Sequence, residues 1–286
     1  MRGEKKIKVI RKGDLLFPKK LKKLKIAQIY VEGNEKIINN FGIAVVGSRN
    51  SSRDGEKITE EFVKKFCKMN INIISGLAKG IDSIAHQTCI NSGGITIAVL
   101  GSGFNHIYPK ENKQLYKKII KSGGAIISEY PPETEPDSSH FPKRNRIISA
   151  LSDGVLMIEG KHRSGTTITA EYGLKQKKPV FCLPHSISNS YGTGPNSIIK
   201  KGGILITKAQ DIIKYYEKKD IKFIENENKK KYNNEILKLL SEEILTKEEL
   251  AIRLNKSISE INQELTILEL EEMITQEYGK GYRIIE

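Results

Sequence analysis

Short apolar runs alternate with amphipathic stretches between residues 41 and 208, and this alternation limits the possible folds more narrowly than any other feature. The runs are a few residues long and almost wholly apolar, which is typical of strands buried on both faces of a parallel sheet. They occupy residues 43–46, 71–74, 96–100, 125–127, 155–158, 180–182 and 204–206. The pattern predicts a doubly wound α/β domain with a mostly parallel sheet.

The stretches between the apolar runs predict helices at residues 55–68, 81–91, 113–121, 142–152 and 166–175. Each candidate helix lies between two predicted strands and would form a right-handed crossover. The carboxyl ends of the parallel strands then share one edge of the sheet, where open α/β folds bind ligands.

The last 55 residues predict a second, smaller domain. Apolar residues at helical spacing form three groups, within 236–240, 250–254 and 258–270, and Thr246 with Glu249 matches a capping box. The segment 274–285 alternates around a Gly-Lys-Gly turn, which is typical of a hairpin. Three helices and a hairpin predict a winged helix-turn-helix.

These patterns divide the chain into four segments. We predict a short basic N-terminal segment at residues 1–41, the α/β domain at 42–216, a linker at 217–231 and the winged-helix domain at 232–286. The linker prediction rests on a stretch rich in Lys, Glu and Asn and poor in apolar residues.

Charge is distributed unevenly around a total of +14. Residues 1–41 carry +8, residues 42–210 carry +10, residues 211–231 carry +2 and residues 232–286 carry −6. A basic front and middle favours a polyanionic partner, because clustered cations release counterions from nucleic acid or gather at anionic membranes. A merely soluble surface with a biased composition accounts for the total equally well.

Several classes of protein are excluded by what the sequence lacks. No apolar run of about 18 residues exists and the N-terminus lacks a secretion signal, so we expect a cytoplasmic protein with no membrane insertion. Cys67, Cys89 and Cys182 include no Cys-x-x-Cys pair, which predicts reduced buried thiols and no zinc site.

Nucleotide-binding and catalytic signatures are absent as well. The chain has no P-loop, no Gly-x-Gly-x-x-Gly after the first strand, no Gly-x-Ser-x-Gly elbow and no His-Glu-x-x-His. We therefore predict no cofactor, no metal and no catalytic residue, and we interpret the five histidines as structural.

Small residues follow the first three predicted strands. Gly47-Ser48-Arg49 follows the first, residues 75–82 follow the second and residues 101–103 follow the third. Turns of this kind let backbone N–H groups approach an anion, usually a phosphate. Tight strand-to-helix turns without a ligand remain the alternative.

Three cations fill the first turn of the predicted helix 142–152, with Pro142 at its first position. Lys143, Arg144 and Arg146 oppose the helix dipole there, which favours a bound anion. Helical spacing turns Arg144 towards the sheet and places Lys143 and Arg146 on another face. Phe141 precedes the helix as either a hydrophobic staple or a stacking platform for a base.

Another strand-to-helix turn contains Ser164, Gly165 and Thr166. Its hydroxyls and amides suit a phosphate, although simple helix capping explains the same residues. We expect this turn to face Arg49 and the three cations of residues 143–146 across one pocket.

At this point the motifs resemble those of the DprA/Smf family of DNA-processing proteins. The matching residues are Gly47-Ser-Arg49, Ser75-Gly-Leu-Ala-Lys-Gly-Ile-Asp82, the run 93–103, Tyr108-Pro109, Ser128-Glu-Tyr-Pro-Pro132, the run 141–148 and Ser164-Gly-Thr166. The resemblance covers about residues 10–210. It implies an extended Rossmann-like domain that binds single-stranded DNA, protects incoming DNA, forms a homodimer and helps load a RecA-type recombinase during natural transformation. It implies no enzyme activity.

From the motifs and the resemblance together we predict twelve DNA-binding residues. They are Gly47, Ser48, Arg49, Phe141, Lys143, Arg144, Asn145, Arg146, Ser164, Gly165, Thr166 and Asn196. The chain departs from the family pattern at Leu183-Pro184-His185 and at Glu159-Gly160, which affects the shape of two turns. We expect no full helical domain within the first 41 residues.

Two other functions stay open. A nucleotide phosphoribohydrolase would use a similar sheet, but the turn before Glu171 lacks the glycine pair of that group. A transcription regulator would act through the winged helix, yet its predicted second helix, about residues 257–273, holds five glutamates and no Lys or Arg. The acidic charge of that helix opposes contact with phosphates.

Overall fold

The computed structural model describes residues 7–223, 235–270, 273–277, 279 and 281–285. The chain forms two units, residues 1–226 and 227–286. Apolar side chains of each unit build a hydrophobic core of its own. The predicted fold class is confirmed, because the first unit is a mostly parallel α/β sheet and the second contains three helices and a hairpin.

A nine-stranded sheet forms the centre of the first unit over the described residues 7–223. Its strands are β1 Lys8–Arg11, β2 Gln28–Gly33, β3 Gly42–Val46, β4 Asn72–Ser75, β5 Thr96–Leu100, β6 Ala125–Ser128, β7 Gly154–Met157, β8 Val180–Cys182 and β9 Ile204–Leu205. Their order is β1-β2-β6-β5-β4-β3-β7-β8-β9. In this spatial order, all neighbouring strands from β6 across to β9 are parallel. The pairs β1–β2 and β2–β6 are antiparallel.

Helices cover both faces of this sheet. They are α1 Arg53–Lys68, α2 Ile81–Asn91, α3 Lys113–Lys121, α4 His140–Leu151, α5 Gly165–Lys175, α6 Thr193–Lys200 and α7 Ala209–Glu217. In α1, for example, the Ser52 side chain caps the first turn, and Thr59, Phe62, Val63 and Phe66 bury one stripe at helical spacing. The same apolar stripe was the sequence signal for the helix.

The chain reverses its direction of growth across the sheet at β3. From β3 it proceeds to β4 on one side, whereas β7 pairs with β3 on the other side. Connections that leave a strand pair in opposite directions open a crevice at the carboxyl ends. This crevice lies between the ends of β3 and β7.

The N-terminal segment differs from its predicted role as a separate basic stretch. β1 and β2 extend the sheet beyond β6, and Ile29 and Val31 of β2 are buried in the core of the first unit. Residues 7–41 thus belong to the α/β unit. Both strands interrupt their buried residues with more exposed ones, so their sequence signal is weaker than the continuous apolar runs of the inner strands.

Two further boundaries differ from prediction. Helix α4 begins at His140, so Pro142 is its third residue rather than its first. Proline is tolerated there because the N–H groups of the first turn have no partner within the helix. The predicted linker 217–231 overlaps the last residue of α7, and its residues 224–231 lie outside the described residues.

The second unit has the elements of a winged helix. They are α8 Glu235–Leu240, α9 Lys247–Leu254, α10 Ile258–Leu270, β10 Ile274–Glu277 and β11 Gly281–Ile284. Thr246 Oγ1 accepts a hydrogen bond from the Glu249 N–H (3.2 Å), and Glu249 Oε2 accepts one from the Thr246 N–H (2.8 Å). This reciprocal pair is the predicted capping box.

The three cysteines are buried free thiols, as predicted. Cys67 and Cys89, although distant in sequence, bring their Sγ atoms within 3.6 Å across α1 and α2. None of the helices within the described residues has the length and apolar character needed to cross a membrane.

Candidate functional site

A cavity of about 770 Å³ opens at the crevice between the carboxyl ends of β3 and β7. We call it the carboxyl-edge cavity. Nine of the twelve residues predicted to bind DNA line it: Gly47, Ser48, Arg49, Phe141, Arg144, Asn145, Ser164, Gly165 and Thr166. The fold therefore assembles these residues from three separate segments, namely the loop after β3, the start of α4 and the start of α5.

The other three assigned residues do not line the carboxyl-edge cavity. Lys143 is exposed on α4, and both carboxylate oxygens of Glu129 accept hydrogen bonds from Arg146 at 2.6 Å. Asn196 holds a loop instead, because its side chain accepts from the His185 N–H (3.2 Å) and donates to the His185 carbonyl (2.9 Å). The prediction of one pocket with all the cations was wrong, since helical spacing points Lys143 and Arg146 away from Arg144.

Arg144 lies beneath the carboxyl-edge cavity and is only 4% exposed. Its Nη1 donates to the Gly76 carbonyl at 2.6 Å and also to the Val99 carbonyl, while Nε donates to Asn145 Oδ1 at 3.2 Å. One guanidinium thus joins helix α4 to the carboxyl ends of β4 and β5. Arg144 leans towards the sheet as predicted, but backbone carbonyls occupy donors that we expected to face an anion.

Asp82 and His86 share this buried region with Arg144. Burial raises the pKa of the Asp82 carboxyl, and the positive charge of Arg144 opposes that rise. Burial lowers the pKa of Arg144 to about 10, so the guanidinium stays charged at neutral pH. Burial, with a smaller effect of Arg144, lowers the pKa of His86 to about 3, and His86 Nδ1 lies 2.6 Å from Thr96 Oγ1. His86 is a neutral structural histidine.

The turn after β4 wraps around the Asp82 carboxylate. Oδ2 of Asp82 accepts hydrogen bonds from the N–H groups of Gly76 (3.1 Å) and Ala78 (3.4 Å). Gly80 has φ +71°, and a Cβ there would lie 2.2 Å from the Ser48 carbonyl oxygen. Only glycine fits that close approach, which holds the turns after β3 and β4 together.

The turn that carries Arg49 is fixed from below by Glu159. This carboxylate is fully buried and accepts from the Ser52 N–H (2.9 Å) and the Ser52 hydroxyl (2.6 Å). Ser52 Oγ in turn accepts from the Gly55 N–H at 3.0 Å, which caps α1. A buried carboxylate bonded in this way anchors the loop between β3 and α1, and so positions Arg49.

An aromatic wall stands beside Arg49. The Phe141 ring centroid lies 5.4 Å from that of Tyr108 and 5.8 Å from the Arg49 guanidinium carbon. A Cβ on Gly101 would lie 2.7 Å from the Phe141 ring, so glycine makes room for it. Tyr108 is 49% exposed. The arrangement favours the stacking platform over the hydrophobic staple for Phe141.

The turn at Ser164 serves as both helix cap and cavity wall. Ser164 Oγ accepts from the Thr167 N–H at 3.4 Å at the start of α5. Thr166 Oγ1 donates to the Gly47 carbonyl at 2.8 Å, and Asn145 Nδ2 donates to the Gly165 carbonyl at 3.0 Å. These bonds join the turns after β3 and β7 to α4. The amino end of α5 consequently lines the cavity, and a helix start of this kind suits an anion.

Sequence reasoning missed several residues of this site. Tyr108, Tyr191, Asn50 and Lys161 also line the carboxyl-edge cavity. Tyr108 belongs to a quoted motif, and that position was the available signal for it. Glu159 gave only the weak signal of a carboxylate directly after an apolar run, because its role depends on contact with a distant serine.

The arrangement suits a phosphate–sugar chain with an unstacked base. Backbone amides, hydroxyls and the Arg49 guanidinium can contact phosphates, and the Tyr108–Phe141 pair offers a face for stacking. Asp82 also lines the cavity, but its Oδ2 is bonded to two backbone amides.

Comparison with known sequences gives two family matches. The family described as DNA recombination-mediator protein A matches residues 8–217, and the DprA winged helix domain matches residues 228–280. Protein Smf of Escherichia coli is 42% identical over 65% of this chain and 50% of its own length. DNA processing protein DprA of Bacillus subtilis is 39% identical over 70% of this chain and 67% of its own length. The chain thus spans half to two thirds of these relatives.

Solved structures give a similar result. DNA processing protein A of Streptococcus pneumoniae has a TM-score of 0.68 at 37% identity, over 73% of this chain and 74% of that one. The protein of the same description from Helicobacter pylori has a TM-score of 0.67 at 28% identity, over 77% of this chain and 99% of that one. The latter structure is described as showing a single-stranded DNA binding mode.

Replacing Arg144 with methionine should lower the free energy of unfolding of the first unit by about 3 kcal/mol or more. The change removes the Arg144 donor from two carbonyls, and it removes the positive charge that offsets the cost of burying the Asp82 carboxylate. Arg146→Met is the matched control, because it breaks a half-buried ion pair with an expected cost of about 1 kcal/mol. Denaturant unfolding measures both. Equal losses would contradict the bracing role of Arg144.

Proposed function

The chain belongs to the DNA recombination-mediator protein A family, also called DprA/Smf, and on that premise we propose that it binds single-stranded DNA in the carboxyl-edge cavity. In this proposal it protects incoming DNA and helps load a RecA-type recombinase during natural transformation and recombination. The protein acts in the cytoplasm as a homodimer and has no enzyme activity.

The observation that carries the proposal is the meeting of a cation, an aromatic face and a helix start in one cavity. Arg49 lies over Phe141 on one side, and the amino end of α5 lies on the other. Phosphates can bind the cation and the helix start while a base stacks on the ring. The similar Helicobacter pylori structure, described by its single-stranded DNA binding mode, supports the same ligand.

The chemistry of the cavity favours single strands over duplexes. Amides, hydroxyls and a guanidinium contact the backbone of a strand without reading base edges. Stacking on Phe141 requires a base that is free of its neighbours, and a duplex must be opened to provide one. We therefore expect little sequence preference.

The recombinase and dimer parts of the proposal rest on the family. Its description as a recombination mediator supports a recombinase partner, and the DprA relatives support a role in processing DNA. The expected homodimer comes from the same resemblance.

A phosphoribohydrolase is less well supported by the positions of the carboxylates. Glu171, the glutamate of the corresponding turn, forms an ion pair with Lys201 (2.5 Å) and does not line the carboxyl-edge cavity. Asp82 is held by backbone amides, and Glu159 is held by Ser52. Among the described residues, the carboxylates at this edge of the sheet are thus committed to the fold.

Binding to labelled oligonucleotides tests the proposed ligand. A single strand should bind more tightly than a duplex of equal length, and its affinity should fall on the order of tenfold between about 50 and about 200 mM salt if about three phosphates are neutralised. Fluorescence anisotropy measures both affinities. Equal or tighter duplex binding, or release of free base from nucleoside monophosphates, would contradict the proposal.

Arg49→Ala should weaken single-strand binding by about tenfold to a hundredfold, because it removes a charged donor from the carboxyl-edge cavity. The side chain is exposed and its contact to Phe141 is at the cavity wall, so the melting temperature should stay within about 2 °C. Lys117→Ala on the exposed face of α3 is the control for loss of one positive charge. A variant that unfolds yet binds normally after refolding would assign Arg49 a structural role.

The winged helix is a poor candidate for the main DNA contact. Lys256 forms ion pairs with Glu264 (2.9 Å) and Glu235 (3.5 Å), and Arg283 forms one with Glu277 (2.6 Å). Acidic side chains thus neutralise cations at the start of α10 and on the wing. A transcription regulator acting through this unit is correspondingly disfavoured.

Deleting residues 226–286 should leave single-strand affinity unchanged or raise it. The first unit has its own core, and removing a segment with a charge of −6 from residues 232–286 takes repulsion away from a polyanionic ligand. Anisotropy on the truncated and full chains measures the difference, with circular dichroism as the check of folding. A loss of tenfold or more on a folded truncation would assign DNA contact to the winged helix.

A further inference from the structure

A second cationic surface lies in the N-terminal segment, within residues 11–25, and it carries two exposed leucines. We propose that this surface docks the protein peripherally on an anionic phospholipid bilayer. The inference does not rest on the proposed DNA function, because it uses none of the residues of the carboxyl-edge cavity.

The leucines stand on a turn that is fixed to the core. Phe17 and Leu21 are buried at 1% and 0% exposure, whereas Leu15 is 103% and Leu16 47% exposed. The Lys12 N–H donates to the Ala27 carbonyl at 2.8 Å, and the turn closes through the Phe17 N–H and the Asp14 carbonyl at 3.0 Å. The anchored backbone therefore holds two apolar side chains in water, which we call the leucine tip.

Lysines surround the leucine tip. Lys12 Nζ lies 3.4 Å from the Leu24 carbonyl, which places the tip beside the turn at residues 22–25. Lys22, Lys23 and Lys25 are exposed there, and they take part in none of the ion pairs recorded among residues 7–223. The nearby Asp14 carboxylate accepts from the Arg11 N–H at 2.7 Å. We call residues 19–25 the basic turn.

The basic turn lies at the opposite edge of the sheet from the carboxyl-edge cavity. Lys20 Nζ donates to the Asn40 carbonyl (2.9 Å) and to Asp153 Oδ2 (2.6 Å). Asn40 and Asp153 precede β3 and β7, so they mark the amino ends of those strands. A nucleotide held in the carboxyl-edge cavity is therefore out of reach of these lysines.

The combination of side chains selects the bilayer over nucleic acid. Lysines gain from any polyanion, but exposed leucines gain nothing from a phosphate backbone. At an anionic bilayer the lysines lie at the headgroups while the leucines enter the boundary with the acyl chains. The protruding tip has the shape for such shallow entry and requires no membrane-spanning segment.

Co-sedimentation of the full chain with vesicles tests the charge requirement. Vesicles of equal parts phosphatidylglycerol and phosphatidylcholine should bind the protein, and vesicles of phosphatidylcholine alone should not. Replacing Lys22, Lys23 and Lys25 with glutamine should weaken binding on the order of a hundredfold. The matched control replaces the exposed lysines 113, 117 and 121 of α3 with glutamine and should change binding by less than about threefold.

The leucine tip provides the decisive variant. Leu15→Ser with Leu16→Ser should weaken vesicle binding by about tenfold or more and leave single-strand affinity unchanged. Ile187→Ser, at 97% exposure, is the control for loss of an exposed apolar side chain. Equal binding to both kinds of vesicle, or no effect of the leucine changes, would overturn the proposal. If the unchanged chain does not bind vesicles and the triple lysine variant loses affinity for single-stranded DNA, the basic turn is a nucleic-acid contact instead.

Discussion

The buried guanidinium of Arg144 is the interaction on which the site depends. Its Nη1 donates to the carbonyls of Gly76 and Val99 at the carboxyl ends of β4 and β5, and these bonds hold helix α4 against the sheet. A charge with so little exposure is stable only with its hydrogen bonds satisfied. The same helix then carries Phe141 and Asn145 to the cavity wall. The sequence alone predicts that Arg144 binds a ligand, whereas in the structure Arg144 stabilises the arrangement of the candidate site.

Much of the fold followed from the sequence because inner strands and helices leave strong local patterns. The runs ending at Val46, Leu100 and Cys182 match the ends of β3, β5 and β8. The sequence did not predict the strands β1 and β2, because short strands with partly exposed residues among lysines resemble an exposed loop. The sequence placed residues at the cavity where they are consecutive in the chain, as in Gly47-Ser48-Arg49. It was not predictable where function depends on contacts between distant residues, such as Glu159 with Ser52.

The net charge of the chain and the arrangement of residues at the carboxyl-edge cavity make different contributions to the proposed binding. The total of +14 suggests attraction for polyanions everywhere, yet few cations line the carboxyl-edge cavity. In the proposed function, selectivity there depends on backbone amides and on the aromatic side chains Tyr108 and Phe141, whose positions are set by the edge of the sheet. Three exposed lysines, at positions 22, 23 and 25, lie instead near the amino edge of the sheet. The two proposals therefore assign different kinds of recognition to the two edges of one sheet, one directional and one diffuse.

The close approach of Phe141 to Gly101 restricts how this site can change over evolutionary time. A Cβ at position 101 would overlap the ring, so any larger residue there displaces the aromatic face before it improves anything else. A smaller residue at position 141 must come first to open the space. The aromatic ring at position 141 thus requires the absence of a side chain at position 101, and a change at one position alters what the other can hold.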